Sequence, residues 1–272
     1  ASAMTERSIP RIFSQRRRVA RALRHHRACG VGSKANPKEQ FLRAQAAEDI
    51  LERIDFMRFP PCPAYLLGDW PSLLGKGLVD RGFGIWDGGP DSLDEEKPWE
   101  SPFFGLIVSL FTLDTLNDLP GALLHYRNAL PPGGVFIAQF TGAGSLPALR
   151  GIMQAADGDT THARIHPQID RPAASGLMSR AGFAKHVVDS HTLTVRYSSF
   201  ETLVGDLRAQ GINSVLADAP PPITRGGLAR ARAAFDDLRE DDGKVSETFE
   251  ILTLTGWQEG ELDIEWNPKA GE

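Results

Sequence analysis

The chain has few of the features that mark disulfide-rich, zinc-binding or membrane-spanning proteins. Its 272 residues contain only two cysteines, Cys29 and Cys62, and no Cys-x-x-Cys pair. We therefore predict neither a disulfide framework nor a zinc site, and we expect a reducing compartment. No apolar run approaches the roughly 20 residues that a membrane-spanning helix needs.

Excess positive charge is also lacking. The formal net charge is -5 at pH 7 and the pI is about 5.8, whereas proteins that bind nucleic acids through phosphate contacts are normally basic. We therefore predict no nucleic-acid partner. The sequence also lacks the phosphate-binding P-loop motif and the Gly-x-Ser-x-Gly motif of a nucleophile elbow, which excludes two common classes of α/β enzyme.

The positive charge that is present lies mostly near the amino end. Eight arginines stand between Arg7 and Arg27. Such an arginine-rich, acid-poor segment is typical of an organelle-targeting presequence, of a basic arm that docks on an acidic partner, or of a solvated helix face. At the other end, residues 259–272 form an acidic polar tail.

The hydrophobic pattern between these two segments predicts alternating strands and helices in one large domain. Such alternation indicates a mostly parallel sheet with helices on both faces. The predicted strands cover residues 64–69, 82–87, 103–111, 135–140, 187–197 and 248–257. The predicted helices cover residues 40–54, 71–81, 118–130, 200–210 and 226–239, with two more beginning at Leu146 and Arg171.

Several segments resemble one family of proteins when they are taken in order along the chain. They read IFSQRRR at 12–18, LNDLPGAL at 116–123, LPPGGVF at 130–136, IHPQID at 165–170, SRAGF at 179–183, LTVRY at 193–197, DGK at 242–244 and TGW at 255–257. The chain resembles the class I S-adenosylmethionine (SAM) methyltransferases. Within them it is similar to the malonyl-carrier-protein methyltransferase of biotin synthesis and to the methyltransferase-like assembly factor of respiratory complex I, and the assembly-factor type is the better match.

The resemblance implies a fold, a cofactor and a partner. The fold is a seven-stranded Rossmann-like sheet with helices on both faces, and SAM is expected at the carboxyl ends of the first strands. A methyltransferase-like domain at 40–258, with a substrate-side insertion at 141–182, would follow a basic arm at 1–39. The biotin relative methylates a carboxyl group, whereas the complex I relative hydroxylates an arginine of a protein subunit.

The loop after the first strand departs from the Gly-x-Gly-x-Gly pattern of these enzymes. Gly68 keeps the first glycine, but Trp70 and Ser72 stand at the second and third, and Leu66 stands where an acid belongs. We expect the Trp70 side chain to fill the space of the methionine part of SAM, because glycines there let the cofactor approach the backbone. Alternatively, Asp69 or a shifted register restores cofactor binding.

Other candidate cofactor contacts lie at the ends of later strands. Asp87 stands where an acid usually binds the ribose hydroxyls, although an Asp-Gly pair is also a turn signal. Ser109, near the end of the third predicted strand, is a further candidate. Asp114 and Thr115 replace the His-Trp pair that the family usually shows, so we assign Asp114 to the substrate side.

The candidate substrate residues in the insertion are mainly basic. Arg150, His166 and Arg171 are the assigned ones, because arginines can hold a carboxylate or phosphate bidentately and His166 lies in the family motif. Solvated helix positions are the alternative for the two arginines. His162 and His166 have no third ligand nearby in sequence, so a metal site is not predicted. No catalytic residue is identified.

Two functions follow as hypotheses. One is a SAM-dependent enzyme that modifies a protein partner, such as a respiratory complex I subunit. The other is a non-catalytic scaffold or assembly factor that has lost SAM binding and contacts its partner through the basic arm. We expect a bacterial cytosolic protein, with the mitochondrial matrix as the alternative.

Overall fold

A computed structural model of the protein describes residues 10–29, 40–90, 94–99 and 103–267. Several predicted segments lie partly outside the described residues. They are the basic arm, including Arg7, the acidic stretch between the second and third predicted strands at 91–100, and the end of the acidic tail. None of the described helices has the length and apolar composition needed to cross a membrane.

Eight α-helices lie within the described residues. They are α1 Gln15–Cys29, α2 Phe41–Met57, α3 Leu73–Val79, α4 Leu119–Ala129, α5 Pro147–Asp157, α6 Arg171–Ala181, α7 Phe200–Ala209 and α8 Arg225–Asp237. Local sequence fixes several of their starts. The side chains of Asp118 and Asp170 accept hydrogen bonds from the N–H groups of Gly121 and Ala173, and a proline occupies the first turn of both helices. These caps satisfy N–H groups that have no partner inside the helix.

The described strands form one mixed sheet. They are β1 Pro63–Leu67, β2 Gly84–Gly88, β3 Leu106–Leu110, β4 Val135–Thr141, β5 Lys185–Tyr197 and β6 Val245–Trp257. Their order across the sheet is β2-β1-β3-β4-β6-β5. The first four run parallel, and β6 pairs antiparallel with both β4 and β5. The predicted α/β class and the mostly parallel order are therefore confirmed.

The expectation of seven strands is wrong for the part of the chain that the structure describes, which has six. The seventh would have to come from a segment able to continue the sheet. The connection from β2 to β3 contains Gly88-Gly89-Pro90 and a run of acids at 94–96, and its described residues form turns and coil. Glycine, proline and aspartate are poor strand formers, so this connection lacks the apolar pattern that a strand needs.

Helices cover both faces of the sheet, as the sequence pattern predicts. On one face, α2, α3, α5 and α8 bury residues such as Ile50, Leu74 and Phe235 against the strands. On the other face, α1, α4 and α6 contribute Ala22, Leu123 and Met178 among others. The central strands β3 and β4 are buried along their whole length, which explains their continuous apolar sequence.

One backbone position at the end of β1 depends on glycine. Gly68 has φ +84, and a Cβ atom there would collide with the carbonyl oxygen of Leu110.

We predict that Gly68→Ala lowers the free energy of unfolding by about 2–4 kcal/mol, because it adds both backbone strain and a steric clash. Denaturant unfolding of purified protein measures this difference.

Gly151 supplies the matched control. It lies in α5, and a Cβ atom there would meet nothing within 4 Å. Gly151→Ala should therefore raise the free energy of unfolding by about 0.5–1 kcal/mol, because alanine is the better helix former. Equal stability of Gly68→Ala and the wild type would contradict the described turn.

Candidate functional site

The carboxyl ends of β1, β2 and β3 lie side by side, where the family resemblance expects a cofactor. The turn at Gly68 passes close to the backbone at the end of β3. The carbonyl oxygen of Gly68 accepts a hydrogen bond of 3.0 Å from Nε of Arg43, a buried residue of α2. The backbone of this turn can be approached closely, as in a cofactor loop, but the group that approaches it is the side chain of Arg43.

Asp69 caps the helix that follows. Its Oδ1 accepts from the N–H of Leu73 at 3.0 Å, and its Oδ2 accepts from the N–H of Gly75 at 2.7 Å. The side chain is buried, and this burial raises its pKa to about 6 although the backbone N–H groups oppose the change. Both carboxylate oxygens therefore accept hydrogen bonds from N–H groups in the first turn of α3.

Trp70 lies inside the protein and is only 5% exposed. Its ring packs edge-to-face against His25 of α1 at a centroid distance of 5.6 Å. The guanidinium of Arg43 lies 5.7 Å from the centre of the same ring and 5.1 Å from that of Phe111. Residues from α1, α2 and the end of β3 thus enclose Trp70.

Helix α1 closes this region through two buried arginines. Arg18 forms an ion pair of 2.5 Å with Glu95 and donates to the carbonyl of Thr112 at 3.0 Å. Arg21 donates to Oγ1 of Thr115 at 3.2 Å. The interpretations of the basic segment as a solvated face or as an exposed partner contact are therefore wrong for these two arginines, since this end of the sheet supplies acceptors for them.

Little space remains between these groups. The cavity that they leave has a volume of about 10 Å³ and is lined by Arg18, Arg21, Ala22, Trp70, Phe111, Thr112 and Gly211. A space of this size holds at most one water molecule, whereas pockets for ligands of SAM's size have several hundred Å³. The turn at Gly68 suits SAM, but the residues around Trp70 do not fit it in this arrangement.

The two other candidate cofactor residues lie apart from this cavity. Asp87 is exposed at the end of β2. Ser109 is fully buried in β3, and its Oγ lies 2.6 Å from Oγ1 of Thr112. Leu66 lies between their strands, paired with Asp87 on one side and Val108 on the other. The structure therefore places these residues in neighbouring strands without joining them in one pocket.

A much larger cleft lies between α5, α7, α8 and the loop that precedes α6. Its volume is about 470 Å³, within the range of ligand pockets. The apolar walls are formed by Leu146, Leu149, Met153, Ile165, Phe200, Val204, Leu207, Ile212, Ile223 and Leu228. The polar residues are Asp114, Thr141, Arg164, His166, Gln168, Glu201, Arg208, Asn213, Ser214 and Arg232. Half of the lining residues are apolar and half are polar or charged, and a cleft that combines apolar walls with convergent polar groups is a common form of binding site.

Asp114 and His166 meet in this cleft. Oδ2 of Asp114 accepts from Oγ1 of Thr141 at 3.1 Å, while its buried Oδ1 has no hydrogen-bond partner among the described residues. Nε2 of His166 accepts from the N–H of Val215 at 2.7 Å. Burial lowers the pKa of His166 to about 4, so this imidazole is neutral at pH 7. Asp114 thus supplies an acceptor that the protein itself leaves unused.

Arg150 and Arg171, the other two assigned substrate residues, do not line the cleft. Both are exposed on the surface. Arg150 donates to Oε1 of Gln168 at 3.3 Å, and Arg171 begins α6. The sequence reasoning also missed Asn213 and Ser214, because the turn that carries them joins the cleft only through tertiary packing. Among the described residues, no three potential metal ligands lie together.

Comparison with known proteins confirms the resemblance to both protein types. No protein-family model matches the chain. The chain is 31% identical over 172 residues to the protein named arginine-hydroxylase NDUFAF5, mitochondrial, of Mus musculus, covering 61% of this chain and 50% of the relative. It is 30% identical over 153 residues to the malonyl-[acyl-carrier protein] O-methyltransferase of Xylella fastidiosa, covering 56% and 51%. The chain therefore spans about half the length of these curated relatives.

Two solved structures are similar to the chain with TM-scores below 0.5. A putative methyltransferase from Bacillus halodurans has a TM-score of 0.48 and 11% identity, with 77% of this chain and 98% of that chain covered. The complex of a Haloferax volcanii methyltransferase activator with a putative methyltransferase gives 0.45 and 14%, with 92% and 99% covered.

The buried carboxyl group of Asp69 makes the free energy of unfolding depend on pH. The pKa of Asp69 is about 6 in the folded chain and about 3.9 when unfolded, so the folded state holds the proton more tightly. Its contribution to stability is therefore greatest below pH 4 and is lost as the pH rises to 6. Relative to Asp69→Asn, the wild type should lose on the order of 3 kcal/mol between pH 4 and pH 7. Urea unfolding of both proteins across this range tests it, and two parallel curves would contradict it.

Proposed function

We propose that this chain is a methyltransferase-like protein that recognises a protein partner and modifies or assembles it. A respiratory complex I subunit is the partner that the relatives suggest. The observation that carries the proposal is the unpartnered Oδ1 of Asp114 in an apolar cleft. A bacterial cytosol is the proposed compartment, with the mitochondrial matrix as the alternative.

An arginine side chain is the ligand that matches this cleft. Its methylene stem would pack against apolar walls such as Leu149 and Met153, while its guanidinium would donate to the free oxygen of Asp114. Three arginines line the cleft. Two of them are already paired, Arg164 with Asp157 and Arg232 with Glu201, while Arg208 has no ion-pair partner among the described residues. Those pairs reduce the repulsion that an incoming cation would meet.

A second candidate function is a non-catalytic assembly protein that binds the same side chain without SAM. The packing around Trp70 favours it, because Arg18, Arg21 and Arg43 take the space beside the Gly68 turn. Partner recognition in the larger cleft does not require that space to be open. The two candidates therefore share a binding site and differ in the cofactor.

A peptide experiment tests the shared site. We predict that a short peptide with a central arginine binds the purified chain, and that Asp114→Asn weakens this binding about tenfold or more, since a charge-assisted hydrogen bond contributes about 1.5–3 kcal/mol. The same peptide with citrulline, a neutral isostere of arginine, should bind the wild type with a similar loss. Isothermal titration calorimetry measures all three affinities.

Asp159→Asn serves as the control, because Asp159 is exposed and does not line the cleft. It should leave the affinity unchanged. If the citrulline peptide binds as tightly as the arginine peptide, Asp114 does not recognise a cation and the proposed ligand is wrong.

Titration with SAM separates the two candidates. We predict no saturable heat from SAM or S-adenosylhomocysteine at concentrations that saturate ordinary methyltransferases, because α1 and Trp70 occupy the space beside the Gly68 turn. One-to-one binding of SAM would contradict the non-catalytic candidate and would show that α1 moves.

A further inference from the structure

A third cavity lies on the outer side of α1, away from the cofactor turn. It is bounded by α1, by the carboxyl end of α7 and by the turn that follows α7, and its volume is about 330 Å³. Its lining residues are Arg21, Arg24, His25, Ala28, Arg208, Gly211 and Asn213. It shares Arg208 and Asn213 with the large cleft, but neither proposed function uses the cavity itself.

Its charge is uniformly positive. Three of the described lining residues are arginines and none is an acid. Burial lowers the pKa of His25 to about 3, so this histidine adds no charge at pH 7. Arg24 and Arg208 are exposed, and neither side chain makes a hydrogen bond or ion pair within the part of the chain that the structure describes. Both guanidinium groups are therefore available to a ligand.

The buried arginine of the cavity is held in a fixed position. Nη1 of Arg21 donates to the carbonyl of Asn213 at 3.0 Å, and Nη2 donates to Oγ1 of Thr115 at 3.2 Å. Both acceptors are neutral, and the nearby carboxylate of Asp114 offsets only part of the charge of Arg21. Gly211 forms the opposite wall with φ +67, and a Cβ atom there would lie 2.8 Å from the His25 ring. The wall therefore approaches α1 as closely as a backbone without a side chain permits.

The end of α7 would normally disfavour an anion, because helix carboxyl ends carry partial negative charge. Here the last carbonyl groups already have partners. The carbonyl of Ala209 accepts from Nε2 of Gln40 at 2.9 Å, and that of Gln210 accepts from Nη1 of Arg43 at 2.5 Å. These two bonds remove much of the repulsion that an anion would otherwise meet beside Arg208.

We propose that this cavity binds a phosphate-bearing anion. Guanidinium groups donate to phosphate oxygens in bidentate pairs. Three guanidinium groups match the charge of a ligand with two or three negative charges better than they match the charge of a single carboxylate. The volume admits more than one phosphate group. The ligand class is therefore a compound with a diphosphate group.

Calorimetric titration with pyrophosphate at low salt tests the proposal on the full chain. We expect saturable one-to-one binding that weakens as salt is added, since screening reduces charge interactions at exposed groups. Arg24→Gln and Arg208→Gln should each weaken binding about tenfold, because each removes charge-assisted hydrogen bonds. Inorganic phosphate should bind more weakly than pyrophosphate, because it engages fewer guanidinium groups.

Arg27→Gln is the matched control. Arg27 lies on α1 and is exposed like Arg24, but it does not line the cavity, so its loss should leave the affinity within about twofold. Unchanged circular dichroism and melting temperature confirm that the variants fold. No saturable pyrophosphate binding, or an equal loss in Arg27→Gln and Arg24→Gln, would overturn the site. Equal affinity for citrate would overturn the assignment to phosphate.

Discussion

The structure around the expected cofactor site depends on Arg18. This side chain crosses from α1 to the carboxyl ends of the strands, where it pairs with Glu95 and donates to Thr112 and Thr115. A buried ion pair is expensive to form unless its other polar atoms are also satisfied. These bonds satisfy the donors of Arg18, whereas Oε1 of Glu95 is buried without a partner among the described residues. These contacts of Arg18 hold α1 over the Gly68 turn. The helix that looks like a free basic arm is thereby part of the domain.

This placement divides the end of the sheet into three spaces with different properties. Behind α1, Trp70 and Arg43 leave a cavity too small for a cofactor. On one side, the large cleft presents the unpartnered carboxylate oxygen of Asp114 among apolar walls. On the other side, arginines line a cavity without described acids. Arg21 stands between them, since it bonds to both Thr115 and Asn213.

Features set by neighbouring residues were predictable from the sequence. The buried strand β3 follows from one continuous apolar run, and α4 and α6 begin where aspartate caps precede a proline in the first turn. The position of α1 was not predictable, because Arg18 and Glu95 are separated by 77 residues. A run of arginines looks the same whether its acceptors are solvent, a partner or the same chain. The cleft likewise combines α5, α7 and α8, which share no local signal.

The number of strands shows that a family resemblance can also predict an element that the described structure does not contain. A resemblance carries the whole pattern of a family, including elements that a given chain has no residues to form. In this chain the connection after β2 is rich in glycine, proline and acids, so the described sheet ends at β2. The local composition decided this outcome, and it was already readable in the sequence beside the resemblance.

The packing of Trp70 also bears on how a cofactor could coexist with this fold. SAM can enter beside Gly68 only if α1 lifts and Trp70 turns outward, which exposes a ring that is now 5% exposed. Burying such a ring contributes about 3 kcal/mol, which sets the scale of the opening free energy. An opening free energy of about 3 kcal/mol would leave the open form near one molecule in 150 and weaken SAM binding by the same factor. A partner that binds α1 in its lifted position would remove this penalty, so partner binding and cofactor binding would then be positively coupled.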